Sequence, residues 1–163
     1  MCDTDYELLC AQLRELSEAE PHWLPVLANA SALIMEALPN LNWAGFYLTD
    51  VGAEAPSLVL GPFQGKVACV RIPYGRGVCG TAAAQNKPQL VPNVHEFPGH
   101  IACDSASNSE VVIPLHASGS VIGVLDLDSP LLSRFSDKDF AGLQAVVSTV
   151  ETCASFVGLP FGR

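Results

Sequence analysis

Apolar residues recur at helical spacing at both ends of the chain and alternate with polar ones in between. Over Asp5–Glu18, Leu9, Leu13 and Leu16 fall on one stripe with Tyr6 and Cys10 beside it, which predicts an amphipathic helix. A second helix is predicted from Pro21 to Leu38 on a stripe of Leu24, Leu27, Ile34 and Leu38, with Pro25 tolerable only in the first turn and Pro39-Asn40 as the stop. Strands follow at Trp43–Leu48 and Ser57–Gly61, and a third, carrying Cys69, is predicted at Val67–Ile72. Small residues from Val78 to Gln85 suggest a short helix, and Leu90-Val91 a brief strand. The two clearest strands, Glu110–Leu115 and Val121–Asp128, flank the hairpin turn Ala117–Ser120. Ser136 opens a last helix along Phe140, Leu143, Val147 and Val150, with Asp139 standing where a capping box usually has Glu. Cys153 continues its apolar side, and the tail from Gly158 is expected to be loose.

This order does not alternate strand and helix, so it predicts an α+β fold. An antiparallel sheet should carry the N- and C-terminal helices packed on one face. The stretch from Pro92 to Ser109 lacks apolar periodicity and is long for a passive connection, which marks it as a functional loop.

Composition narrows the class. The 163 residues suit one domain, 1–163, able to bury about two thirds of its unfolded surface without disulfide or metal staples. Hydrophobic residues at 49% against 15% charged argue for a filled core. The net charge of −9 and the lack of a basic cluster argue against nucleic acid. The acidic N-terminus does not read as a secretory signal, and no apolar run reaches the roughly 18 residues of a membrane span. The expected location is the cytoplasm, where six cysteines read as buried thiols, metal ligands or redox catalysts.

Cys2, Cys10 and Cys153 read as terminal or packing residues. Cys69, Cys79 and Cys103 differ, because each lies in a turn-rich segment: Gly65–Cys69, Gly75–Gly80 and Phe97–Asp104. Reactive thiols need exposure and a positive neighbour or a helix N-terminus, and Lys66, Arg71, His100 and the start of the short helix offer these. Zinc bound by these thiols with His95 or His100 is disfavoured, since His100-x-x-Cys103 is the single close pair. A Cys-His hydrolase has only the presence of His95, His100 and His116 behind it. Thiol redox catalysis, with one cysteine attacking and others resolving a sulfenic acid, accounts for three thiols on loops. Gly75-x-Gly77 lacks the lysine of a phosphate loop.

Ile122, Val124, Asp126 and Asp128 share one strand face, apolar at its start and acidic at its end. Asp126 and Asp128 read equally as a solvated strand end and as a cation-binding pair, and Glu110 as a surface charge or their partner. Acids near a thiol could hold a substrate ammonium, and one kept protonated could donate to a sulfoxide oxygen. Trp43 and Tyr47, four apart on a strand, face the same way and could pack in the core or wall a pocket for a methyl-bearing ligand.

The runs Gly75-x-Gly77-Val78-Cys79-Gly80-Thr81 and Phe97-Pro98-Gly99-His100-Ile101-Ala102-Cys103-Asp104, with Gly123–Pro130 and Trp43–Tyr47, resemble the free methionine-R-sulfoxide reductases, enzymes of the GAF type. The cysteine spacing, ten residues and then twenty-four, fits as well. The resemblance implies a GAF-like fold whose six-stranded antiparallel sheet is flanked by N- and C-terminal helices. It implies reduction of free methionine-(R)-sulfoxide, with Cys103 attacking, Cys69 resolving and Cys79 as relay or alternative thiol. Thioredoxin would be the electron donor, with no bound cofactor or metal. By the same resemblance Glu110, Asp126 and Asp128 bind substrate and supply the acid, Trp43 and Tyr47 wall the methyl pocket, and a homodimer is hinted at. The rival expectation is a non-enzymatic GAF module that binds a small ligand for signalling, though such a module has no need of three loop cysteines.

Overall fold

The computed structural model describes residues 4–52, 54–101 and 103–159; Cys2, Ala102 and the last part of the tail lie outside the described residues. Helix α1 (Tyr6–Ala19) begins at Asp5, whose carboxylate accepts from the Leu8 N–H, and α2 spans Trp23–Ala37 with Pro25 in its first turn. Strands β1 (Trp43–Asp50), β2 (Ser57–Gly65) and β3 (Arg71–Pro73) follow. After them come α3 (Gly77–Gln85), β4 (Gln89–Val91), β5 (Ser109–Ala117), β6 (Ser120–Ser129) and α4 (Asp137–Cys153). The predicted capping box is formed in full. The Ser136 hydroxyl accepts from the Asp139 N–H, and the Asp139 carboxylate accepts from the Ser136 N–H.

The sheet runs β3-β2-β1-β6-β5-β4 and every neighbouring pair is antiparallel. Strand alternation sorts its residues into two layers. Ala44, Phe46, Leu48, Val111, Ile113, Leu115, Leu125 and Leu127 point into the larger core beneath α1, α2 and α4. Trp43, Tyr47, Val112 and Val124 point the other way, toward α3 and the cysteine loops. The terminal helices therefore cover one face, as expected, and leave the other for a site.

Three local expectations are corrected. The strand expected at Val67–Ile72 begins only at Arg71, so Cys69 sits in a loop. Its last link to β2 is the Leu60 N–H bonding to the Val70 carbonyl at 3.0 Å. Beyond that point β2 is bulged and Pro62 has no N–H to give, so the ladder stops. Leu16 and Leu24, expected on inward stripes, are about half exposed. On α1 the inward position after Leu13 is taken by Ser17, which is affordable because its hydroxyl bonds back to the Leu13 carbonyl at 2.7 Å. Of the tail expected to be loose from Gly158, Leu159 packs against the core, as Phe156 does just before it.

Candidate functional site

β-register sets the site. Across the three central strands Trp43 lies opposite Asp128 and Asp128 opposite Glu110 in one row; Gly45, Asp126 and Val112 form the next. All these side chains rise on the face away from the terminal helices. Like charges directly opposite each other repel, so Glu110 and Asp128 face each other at an energetic cost. The face is buried besides: Glu110 is 5% exposed and Asp126 6%.

The electrostatic consequence is a block of carboxyl groups held toward the protonated form. Burial is the largest cause for all three. Asp126 is pushed up to about 6. Glu110 is raised further by the charges of Asp126 and Asp128, and Asp128 by Asp126. Asp126 Oδ1 is buried without a donor among the carboxylates, and a proton on Glu110 or a substrate cation would satisfy it.

Cys79 enters from α3, its Sγ–H directed at Glu110 Oε1 across 3.8 Å. The expectation that the helix start would favour its thiolate is overturned. Burial first, then the charges of Asp126 and Glu110, raise its pKa well above that of a free thiol. Cys79, Glu110 and Asp126 present donor atoms within 4.8 Å of one another. His100 Nε2 stands 3.8 Å from Glu110 Oε2, and burial and then His95 hold the imidazole below its usual pKa.

Cys69 and Cys103 are joined by a disulfide, with Cα atoms 5.5 Å apart. Both reach the site from loops. That pairing removes them from a joint zinc set with Cys79. Of the other histidines considered, His95 bonds to Asn108 Oδ1, and His116 bonds to Glu151 and Asn86.

Trp43 and Tyr47 stack with ring centroids 5.7 Å apart and are 3% and 1% exposed, so they are core residues and cleft wall at once. The cleft, with about 510 Å³ of empty space including that open to solvent, is lined by both rings, Cys79, Cys103, His100 and the three acids among others. Trp43, Tyr47, Cys79, Cys103, Glu110, Asp126 and Asp128 thus converge on one cleft, and Cys69 joins it through its bond to Cys103.

The pattern of the chain does not single out Asn42 and Ser107. The Asn42 side chain donates to Asp104 Oδ2 at 3.2 Å and to Ser107 Oγ at 3.0 Å, while its backbone N–H bonds to the Asp128 carbonyl. It ties the Cys103 loop to the edge of the acidic row. A lone Asn before a strand carries no signal of such a bond.

A six-stranded antiparallel sheet with helices on one face and a small-molecule cleft on the other is the architecture of a GAF domain, and the GAF domain family matches residues 10–154. Two enzymes named free methionine-R-sulfoxide reductase are close in sequence. That of Escherichia coli K12 is 54% identical over 146 residues, 90% of this chain and 86% of that protein. That of Saccharomyces cerevisiae is 46% identical over 141 residues, 82% of this chain and 78% of that protein. The solved structure of the Staphylococcus aureus protein in complex with substrate superposes with a TM-score of 0.86 at 45% identity, covering 95% of this chain and 99% of that one. The chain belongs to the free methionine-R-sulfoxide reductase family.

Proposed function

We propose that this protein reduces free methionine-(R)-sulfoxide to methionine, using Cys103 and Cys69 as a dithiol that closes to a disulfide. The observation that carries the reading is the Cys69–Cys103 pairing beside a cleft whose floor is Glu110, Asp126 and Asp128. Acids that ionise at the approach of a cation suit the α-ammonium of a free amino acid. An acid that keeps its proton near neutrality suits donation to the sulfoxide oxygen. The stacked rings of Trp43 and Tyr47 offer an apolar wall to the S-methyl group.

In the first step the Cys103 thiolate attacks and takes the sulfoxide oxygen. The S–O bond of the substrate breaks, methionine leaves, and Cys103 becomes a sulfenic acid. Cys69 then displaces that oxygen as water and the disulfide forms. Two thiols and one sulfoxide have become one disulfide, methionine and water. A thioredoxin-type dithiol resets the pair by exchange through a mixed disulfide. Cys79, kept neutral by its surroundings, serves as relay or alternative thiol. The protein works without a bound cofactor, in the reducing cytoplasm. Among the described residues, no helix is long and apolar enough to cross a membrane. A homodimer belongs to the same reading. Leu8, Leu16 and Leu33 line an apolar groove on α1 and α2 that a second copy would cover, which sedimentation velocity checks.

The test couples the protein to thioredoxin, thioredoxin reductase and NADPH with the separated R and S epimers. NADPH consumption with the R epimer alone is expected, and none with either epimer would defeat the reading. Cys103→Ser should abolish methionine formation even in a single turnover, whereas Cys69→Ser should chiefly impair recycling.

A further inference from the structure

In the loop that carries Cys69, Ala68 and Cys69 itself pack against the fold, but the valines on either side of them do not. Val67 is 88% exposed and Val70 70%, so neither is buried against the fold. The loop's carbonyl groups are anchored as well. The Trp43 indole N–H donates to the Lys66 carbonyl at 3.2 Å, and the Tyr47 hydroxyl donates to the Cys69 carbonyl at 3.0 Å. The third anchor is the bond from the Leu60 N–H to the Val70 carbonyl. Thus two of the three come from side chains of one strand, from rings that stack on each other and are almost wholly buried.

We propose that Trp43 and Tyr47 are positioning residues for disulfide formation: their polar atoms hold the Cys69 loop where its thiol meets Cys103. The step itself rests on the thiol chemistry proposed above. In it the Cys69 sulfur attacks the sulfenic sulfur of Cys103, the S–S bond forms, and the S–O bond breaks. The departing hydroxyl leaves as water with the proton of the Cys69 thiol. A thiol on a free loop would reach that geometry seldom, whereas an anchored one is held at high effective concentration. The geometry suits anchoring, since β1 is the strand next to the centre of the acidic row and a rigid base from which to set the loop. Burial, and then the neighbouring acids and Cys79, keep the Tyr47 hydroxyl protonated, so it remains a donor.

This role is separable from that of an apolar wall, because Tyr47→Phe keeps the ring and removes the donor. The experiment equilibrates oxidised wild-type and variant protein in glutathione redox buffers and counts the Cys69 and Cys103 thiols by alkylation and mass spectrometry. Loss of one such hydrogen bond should shift the balance toward the dithiol by about threefold to tenfold. Trp43→Phe, which removes the indole donor, should shift it in the same direction, and carries the test should Tyr47→Phe fail to fold by circular dichroism. A second reading follows single turnovers with the R epimer. In Tyr47→Phe the rate of disulfide closure should fall relative to the rate of methionine formation, with sulfenic acid accumulating and trapped by dimedone. A glutathione balance within twofold of wild type, or closure and methionine formation slowed equally, would overturn the proposal. The glutathione titration contains no sulfoxide, so it reads the positioning role even if the protein proves inactive on methionine sulfoxide.

Discussion

Among single residues, Asp126 shows most directly how the site costs stability. A carboxyl whose pKa is higher in the folded than in the unfolded chain binds more protons when folded. Stability is then greatest below the unfolded pKa of about 4 and is lost as pH rises through the folded value. For Asp126 that value is about 6. Replacing it by a neutral amide removes the charge that pH creates there and also relieves Glu110 and Asp128, which its charge raises. The wild-type chain should therefore lose stability relative to Asp126→Asn between pH 4 and pH 7, by up to roughly 3 kcal/mol. Urea unfolding of both proteins across that range checks it, and a gap that stays constant with pH would contradict the assignment. Asp104 has the opposite sign. The Ala106 N–H first, then Asn42, hold its carboxyl below the usual range, so it remains ionised beside the Cys103 loop.

At the scale of elements, α3 has to lie close to the turn after β3 for Cys79 to reach Glu110. Gly80 makes that approach possible: a Cβ there would run into the Pro73 carbonyl, a backbone atom that cannot swing away. The same turn is closed by the Gly75 N–H bonding to the Gly80 carbonyl at 2.8 Å. Gly80→Ala should therefore destabilise the protein by about 1–3 kcal/mol through overpacking. Each kcal/mol lowers the thermal midpoint by roughly 2–4 °C in a chain of this size, which calorimetry reads. An unchanged midpoint would mean that α3 moves away freely. In the neighbouring Gly75–Thr81 run, Gly77 has φ of +61°, a conformation costly for any residue with a Cβ.

For the whole molecule, the Cys69–Cys103 bond closes a loop of 34 residues that includes β3, α3 and β4. Constraining the unfolded chain in this way is worth about 3–4 kcal/mol on the chain-entropy account. The oxidised protein should resist denaturant better than the reduced one by that order, measured with and without a reducing agent. Equal midpoints would show that the folded oxidised form is strained by as much as the unfolded chain is constrained. A catalyst that cycles between the two states would alternate between a more and a less stable form while α1, α2 and α4 keep their shared core unaltered.

How much of this was legible beforehand follows from the range of each interaction. Helices α1, α2 and α4, the β5–β6 hairpin and the Ser136 cap were readable because their signals are local: periodicity, turn chemistry and a cap three residues long. Alternation on β6 correctly put Asp126 and Asp128 on one face, and on β1 Trp43 and Tyr47. The strand expected at Val67–Ile72 was misread because its apolar residues look like a strand, while the bulge and Pro62 that end the ladder belong to another segment. Cys79 was misread in its ionisation for a similar reason. Its helix start is local and favours the thiolate, but the carboxyl groups that oppose it come from strands some thirty to fifty residues further on.

The sequence by itself determined the fold class, the two faces of the sheet, the three cysteines that stand apart from the packing ones and the family they resemble, since each is written in spacing or in contiguous motifs. Only the tertiary structure decided which carboxyl faces which, that burial holds Cys79, Glu110 and Asp128 toward their protonated forms while Asp126 ionises near pH 6, and that Asn42, Trp43 and Tyr47 hold the two thiol-bearing loops. Those facts depend on strand register and on the exclusion of water. Both arise when distant segments pack together, and neither can be expressed in any short stretch of chain.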